Sequence, residues 1–460
     1  MRHRTHMALL ATLMTATAFA QDINVYSTTM AQSWKQDTPG FDKTTLMPVT
    51  EFLGIDANHL GTDALSLHLY GWGRTDLKDQ SAIGGKNAGD LTYGYLQYSF
   101  DRANAEIKAG RIVVNQGIGN EMVDGVSMRT DLRNGFTFSA FGGQPVIFKN
   151  HSGLPQLDQS FQRDFIVGTR LGWRMAKLGE IGVSYLQDGT TAAKDLPVPN
   201  PIDYTRRQVG ADITLAPAAF LDFSGRTVFD VAKHPDALPG QDRSSIAEHD
   251  YKATGKILDN LSVTGNFVQR NFYAYYAGTN LPSLFNQNEK GKFSSNGISA
   301  SWSPLAFLNL VADLRTTKRE TYGNTTRAGL DGRLTFAAQH LVLGGGYHKV
   351  NAFKVKLVDS LTPAYSVSHS EMRGWAMYEK GNFSASLDAI RLHYSGAEVN
   401  PNLNHKAIES EIVGSLGYQA TKNFKISGDM SFADTPLYKK QVMGLLRADF
   451  RFGFAGKGGK

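Results

Sequence analysis

The run VMGLLRADFRFGF, Val442 to Phe454, separates into two kinds of residue when every second position is read. A β-strand directs successive side chains to opposite sides of its sheet. One side of this strand therefore holds only apolar residues and glycine, and the other side holds Arg447, Asp449 and Arg451. In a soluble sheet the apolar side would cover a core. In a transmembrane barrel it would face lipid, and the charged side would line a polar interior.

The same alternation recurs along the chain. Apolar residues and glycine alternate with polar residues, except at Thr227, Val228 and Val311, in five further segments, 221–230, 261–267, 308–315, 383–389 and 424–432. Alternation over such lengths is typical of half-buried strands. The chain is therefore expected to be built mainly of long two-faced strands.

The connections between these strands alternate in length. Short polar turns such as DRAN at Asp101 and ATKN at Ala420 alternate with longer polar stretches such as 143–163 and 275–290. Outer-membrane barrels have short turns on the periplasmic side and longer extracellular loops. A soluble sandwich has no reason to sort its connections in this way.

These patterns predict an all-β fold, a closed antiparallel transmembrane β-barrel of about 20 strands, within a range of about 18 to about 22. The barrel is expected to span residues 62–454. Residues 21–61 are expected to form an N-terminal periplasmic or plug segment, and residues 455–460 a basic tail. A barrel this wide cannot be filled by its own side chains, so it must hold water, an inserted segment or another protein.

The N-terminus predicts export. Arg2 and Arg4 precede the short apolar run 8–19, and Ala18-Phe19-Ala20 is a small-x-small cleavage site. This is the pattern of a signal peptide cleaved after Ala20. With a mean hydropathy of −0.29, the chain shows no later run of the roughly 18 apolar residues that a membrane helix requires. The expected location is the outer membrane.

Composition and motifs argue against several functions. The net charge is +6, with no basic cluster typical of nucleic-acid binding, and the chain has 0 cysteines. No catalytic or phosphate-binding motif occurs in its required context. His340, His348, His369, His393 and His405 show no recognised metal-ligand spacing. The chain is expected to be a non-enzyme without cofactor, catalytic residues or metal ligands. An outer-membrane hydrolase is the enzymatic alternative, because barrels can assemble sites from distant strands.

Charged residues on the polar sides of the strands are the candidate functional residues. The candidate lumen-lining set is Asp222, Arg226, Asp313, Arg315, Asp388, Lys425, Asp429, Arg447, Asp449 and Arg451. In one interpretation they form a channel wall whose mixed field tunes ion passage. In the other they pair across neighbouring strands and only keep the lumen hydrated.

Aromatic residues near the predicted strand ends suggest an interfacial girdle, because Tyr and Trp favour the headgroup region. They are Tyr70, Trp72, Tyr93, Tyr95, Tyr98, Trp173, Trp302, Trp375, Tyr378, Tyr394, Tyr418 and Tyr438.

Three stretches carry a family resemblance: LSLHLYGWGRTDL from Leu65, LTYGYLQYSF from Leu91 and GVSMRTDLRNGFTFSAFGGQPV from Gly125. They resemble the N-terminal half of large outer-membrane barrels from metal-reducing δ-proteobacteria. Some of those barrels form the sheath of porin–cytochrome conduits. The resemblance implies an insulating barrel around a multihaem cytochrome, with periplasmic and extracellular cytochromes as partners.

Three functions follow as hypotheses. The first is a porin-like channel giving small ions or solutes a polar passage through the outer membrane, with lipid as the surrounding partner. The alternative is the conduit sheath, whose lumen holds a multihaem cytochrome. The second alternative is a secreted soluble β-protein.

Overall fold

A computed structural model describes the chain over the strands and most of the short turns. The described residues are 22–36, 43–81, 85–100, 102–146, 165–189, 206–231, 246–271, 292–319, 323–353, 367–396, 406–436 and 440–455. The expected signal peptide and residues 456–460 of the expected tail lie outside these ranges.

The described residues contain twenty-three antiparallel strands, which form one sheet. The first twelve are β1 (Asp22–Gln36), β2 (Thr44–Leu46), β3 (Pro48–Asn58), β4 (Leu65–Asp76), β5 (Asn87–Phe100), β6 (Ala105–Gln116), β7 (Gly119–Asp131), β8 (Phe136–Pro145), β9 (Phe165–Met175), β10 (Gly179–Gly189), β11 (Arg206–Ala218) and β12 (Leu221–Asp230). The others are β13 (Ile246–Leu258), β14 (Leu261–Asn271), β15 (Lys292–Leu305), β16 (Leu308–Arg319), β17 (Gly323–Phe336), β18 (Leu341–Phe353), β19 (His369–Lys380), β20 (Phe383–Tyr394), β21 (Ile408–Thr421), β22 (Phe424–Asp434) and β23 (Gln441–Ala455).

The sheet closes on itself. β1 pairs with β23 from Asp22 opposite Ala455 to Trp34 opposite Met443, and on its other side β1 pairs with β2 and β3. β2 and β3 lie end to end along the same side of β1. They therefore occupy one position in the wall, which has 22 strands. Closure leaves no sheet edge whose backbone groups would lack hydrogen-bond partners in lipid.

The described helical residues are confined to two short 3₁₀ turns, Arg133–Gly135 and Ala337–Gln339. Within the described ranges no helix has the length and apolar character needed to cross a bilayer. Most short turns lie at the barrel end where β1 begins and β23 finishes, and the longer connections join strands at the opposite end. The exceptions are the short connections 117–118 and 320–322, which belong to the opposite end.

The expected assignment of residues 21–61 to a periplasmic or plug segment is wrong, because β1 and β3 are wall strands. These two strands also raise the count from about 20 to 22. Their alternation is broken by Glu51, which lies on the same face as the apolar residues. Its carboxylate accepts hydrogen bonds from Ser27 (2.5 Å) and from Thr29. Because these three polar residues stand at positions of the apolar face, the apolar–polar alternation is interrupted, and the sequence did not predict the strands.

The two faces of the wall differ in curvature as well as polarity. Polar side chains bond across skipped strands, as in Arg170 of β9 with Asp212 of β11 and Tyr26 of β1 with Tyr93 of β5. Such contacts require the concave face, where side chains converge, so the polar face is the inside of the barrel. The opposite face presents large exposed apolar side chains, including Leu416, Met430 and Leu446.

Candidate functional site in the barrel lumen

One hairpin leaves the wall. The pairing of β5 with β6 stops at Gly94 opposite Arg111, and that of β7 with β8 begins at Val123 opposite Pro145. The pairing of β6 with β7 nevertheless continues to Gln116 opposite Gly119. Residues 112–122 therefore form a two-stranded ribbon that pairs with itself. Among the described residues its one backbone hydrogen bond to the wall is at its base, from the N–H of Val146 to the carbonyl oxygen of Met122 (2.8 Å). We call this ribbon the inward arm.

The tip of the arm reaches far across the inner wall. Ile118 packs against Val228 of β12 and Ala247 of β13. A Cβ atom built at Gly117 would lie 1.9 Å from Oγ of Ser184 on β10. Since β8 and β9 separate the arm from β10, the arm must cross the lumen side of the wall to make these contacts.

A dry core holds the arm in place. Ile112 and Val123, which bounds the arm, are completely buried and Val114 is nearly so. They pack with three wall residues, Phe141, Ile166 and Leu186. Each fully buried aliphatic side chain contributes roughly 1.5–3 kcal/mol. The opposite side of the arm faces open space, since Val113 is 52% exposed.

Glycines occupy the base of the arm. Gly110 of β6 is paired with Gly125 of β7. A Cβ atom at Gly125 would lie 2.1 Å from the carbonyl oxygen of Gly142, and one at Gly110 would lie 2.3 Å from that of Gly94. Only glycine allows the backbones to approach this closely where the ribbon bends inward. These two glycines were the available sequence signal for the arm, and sequence analysis missed it.

An arginine supports the turn of the arm. The guanidinium of Arg170 donates two hydrogen bonds to Asp212 (3.0 and 2.6 Å) and one to Glu180 (2.6 Å). A Cβ atom at Gly117 would lie 3.0 Å from Cδ of Arg170. Bidentate Arg–carboxylate pairing gives the side chain a defined orientation, so Arg170 is a rigid support for the arm.

The strand register places the ten candidate lumen residues on the inner face of the wall. Arg447 and Asp449 pair with each other (2.8 Å). Other members have partners that the sequence did not indicate: Arg226 pairs with Glu248, Asp313 with Arg327 and Asp388 with Arg373. Their role in passage stays a prediction.

Some of the ten residues carry a charge that no described residue neutralises through an ion pair; we call these the open charges. Asp222, Arg315, Asp429 and Arg451 make no ion pair within the described part of the chain. Lys425 lies directly opposite Asp449 in the register. The interpretation of charges that pair across the wall thus applies to part of the set. The role of the others in ion passage stays a prediction.

A charged cluster lies across β16–β19. His348, with its side chain only 7% exposed, places Nε2 2.9 Å from Oδ1 of Asp313 and 3.2 Å from Oδ2 of Asp331. Arg327 bridges Asp313 (3.0 Å) and Glu371 (3.1 Å). Asp313, Asp331 and His348 are the described residues whose arrangement could hold a metal ion. The spacing of histidines along the chain could not indicate this group, because its members come from three strands.

Tyrosines form a continuous patch on another part of the inner face. The rings of Tyr26 and Tyr70 are 5.9 Å apart, those of Tyr70 and Tyr93 5.5 Å, and those of Tyr93 and Tyr95 5.8 Å. The hydroxyl groups of Tyr26 and Tyr93 share a hydrogen bond of 2.9 Å. The expectation of a membrane girdle is wrong for Tyr70, Trp72, Tyr93, Tyr95, Trp375 and Tyr394, and Tyr438 lies outside the described residues. The six wrongly predicted residues stand at the positions of their strands that face the barrel interior. The prediction used only their distance from a strand end, which does not determine the face.

Comparison with known proteins gives structural neighbours only. No family model matches the sequence, and no curated protein matches it. Among solved structures, the siderophore receptor PirA from Pseudomonas aeruginosa has a TM-score of 0.56 at 10% identity, covering 94% of this chain and 80% of the receptor. A point mutant of the ferric enterobactin receptor PfeA from the same organism has a TM-score of 0.55 at 9% identity, covering 94% of this chain and 80% of that receptor. At these identities the similarity shows the fold alone, which is that of a large closed β-barrel.

Proposed function

We propose that the chain is a constricted aqueous channel that gives small hydrophilic ions or solutes passage through the outer membrane. The observation that carries the proposal is the inward arm. A barrel of 22 strands is far wider than its own side chains can fill. An arm docked on the inner wall occupies part of such a lumen and narrows it.

The chemistry of the inner face supports a hydrated passage. Open charges of both signs, among them Asp222, Arg315 and Arg451, line the wall. Such groups keep water in a lumen and act on passing ions. A non-enzymatic role is part of this proposal, and the structural neighbours named above are receptors.

The conduit alternative draws no support from the fold comparisons. It requires a lumen that admits a cytochrome along its length. The arm occupies lumen space, with Ile118 bound to β12 and β13. We therefore favour the channel.

The experiment is single-channel recording on the purified protein in planar bilayers, combined with exclusion of polyethylene glycols of graded size. A channel narrowed by the arm should show a steady conductance and a polymer cut-off well below that expected for an empty barrel of this strand number. A silent barrel would contradict the proposal. So would a cut-off that is unchanged when residues 112–122 are replaced by a two-residue turn joining Arg111 to Val123.

A further inference from the structure

We propose that Asp313, Asp331 and His348 form a binding site for a first-row divalent transition-metal ion, such as Zn²⁺, on the lumen wall. The site lies on the inner face, and its binding of metal does not depend on channel activity.

Nε2 of His348 lies close to two carboxylate oxygens but can donate a hydrogen bond to only one of them. Nε2 of His348 lies 2.9 Å from a carboxylate oxygen of Asp313 and 3.2 Å from one of Asp331. A ring N–H is one donor and serves one acceptor well. A metal ion bound to Nε2 would bind both carboxylates at once.

The distances themselves match a coordination sphere. Neighbouring ligands of a metal ion bound at about 2.1 Å are separated by roughly 3 Å when they subtend a right angle. The distances from Nε2 to the two carboxylate oxygens fall at this separation, and the three ligand atoms all lie within 4.8 Å of one another. No large rearrangement of the side chains is needed to admit an ion.

The charge of the group favours a dication. Asp313, Asp331 and Glu371 carry three negative charges, and Arg327, which contacts Asp313 and Glu371, carries one positive charge. With His348 neutral, as a metal ligand must be, these four ionised side chains sum to two negative charges, which a divalent ion matches. His369 also pairs with Glu371, and Arg373 attracts Asp331 from the edge of the group.

Two glycines make the arrangement possible. Gly329 stands between Asp313 and His348 in the lateral row of paired residues. A Cβ atom there would lie 1.9 Å from Cδ2 of His348, and one at Gly346 would lie 2.0 Å from Oδ1 of Asp331. The imidazole therefore lies over Gly329 and reaches a strand beyond its neighbour.

The type of ligand indicates the type of metal. An imidazole with two carboxylates suits Zn²⁺, Mn²⁺ or Fe²⁺ better than Mg²⁺ or Ca²⁺, which prefer oxygen ligands alone. The side chain of Asp331 is 47% exposed, so the site opens toward lumen water. Water can complete the coordination, and an ion can enter without unfolding the wall.

The test is isothermal titration of Zn²⁺ into the full-length barrel in detergent after removal of metal with EDTA, with Co²⁺ absorption spectra as a second readout. The wild-type protein should bind one equivalent of Zn²⁺ and give Co²⁺ bands typical of nitrogen and oxygen ligation. Asp331→Asn, at an exposed carboxylate, should lose this binding. Gly329→Ala, which displaces the imidazole, should lose it as well.

The matched control is Asp222→Asn, which removes an inner-face carboxylate of β12, four strands from β16 and outside the group. It should bind Zn²⁺ as the wild type does. Heat-dependent migration on gels shows whether each variant is folded. The proposal is overturned if the folded wild type binds no stoichiometric Zn²⁺, or if Asp331→Asn and Asp222→Asn bind it equally.

Discussion

Ile118 lies directly over Gly210: a Cβ atom at position 210 would be 2.1 Å from Cγ2 of Ile118. Gly210 is on β11, so this contact joins the tip of the inward arm to a strand four places round the wall from β7. It defines where the arm ends and how far it extends across the lumen. The arm is therefore a fixed part of the inner wall, and its removal is the most direct way to change the passage.

The tip can be released by a charge. Ile118→Asp would place a carboxylate against Val228 and Ala247, where an unpaired charge costs several kcal/mol. We expect the arm to undock and the single-channel conductance in planar bilayers to rise. Val113→Asp puts the same charge on the exposed side of the arm and should leave the arm docked. Equal conductance changes in the two variants would contradict a docked tip.

The chain has 0 cysteines, so a single introduced cysteine can be labelled without background. Its labelling rate then distinguishes the packed side of the arm from the exposed side. Ile112 is completely buried, whereas its neighbour Val113 is 52% exposed. We expect Val113→Cys to react rapidly with a charged methanethiosulfonate reagent and Ile112→Cys to react at least tenfold more slowly, about the effect of 1.4 kcal/mol of protection. The measurement is the labelling rate by mass spectrometry. Similar rates would show that the arm is not packed on the wall.

The glycines at the base of the arm should be intolerant of a side chain. Gly125→Ala would bring a methyl group to 2.1 Å from the carbonyl oxygen of Gly142, and overpacking of this kind costs about 1–3 kcal/mol. We expect a lower urea midpoint for unfolding. Gly265→Ala is the matched control, since a Cβ atom at position 265 meets nothing within 4 Å. The prediction fails if both substitutions have the same effect.

Open charges of the inner face should set ion preference. Replacing Arg315 and Arg451 by glutamate removes two unpaired positive charges and adds two negative ones, which favours cations in the lumen. The reversal potential across a salt gradient should shift toward cation selectivity. Arg391→Glu changes a residue of β20 that the register places on the outer face, opposite Met372 and Ser410. It should produce no shift, and a shift equal to that of the inner-face variant would contradict the assignment of faces.

Much of the wall was predictable because its signal is local. Alternation along 221–230 or 424–432 reports two environments on the two sides of one strand, and no knowledge of neighbours is needed. The same logic failed at β1 and β3, where Glu51 and its two hydroxyl partners interrupt the apolar face. It failed also for the tyrosines, because an aromatic ring near a strand end can point to either side.

The candidate site depended on contacts between residues that are distant in sequence. The position of Asp313 on the inner face follows from the alternation along its own strand. Its proximity to His348 depends on the register of three strands and on the absence of a side chain at Gly329. No spacing rule along the chain contains that information.

By itself, then, the sequence determined the two-sided character of the strands, and with it a closed barrel with a polar interior, because alternation and short turns act through neighbouring residues. Only the tertiary structure decided that residues 112–122 fold inward and that Asp313, Asp331 and His348 meet. Those features arise where the barrel curves and distant strands converge on its concave face, and convergence is a property of the closed wall.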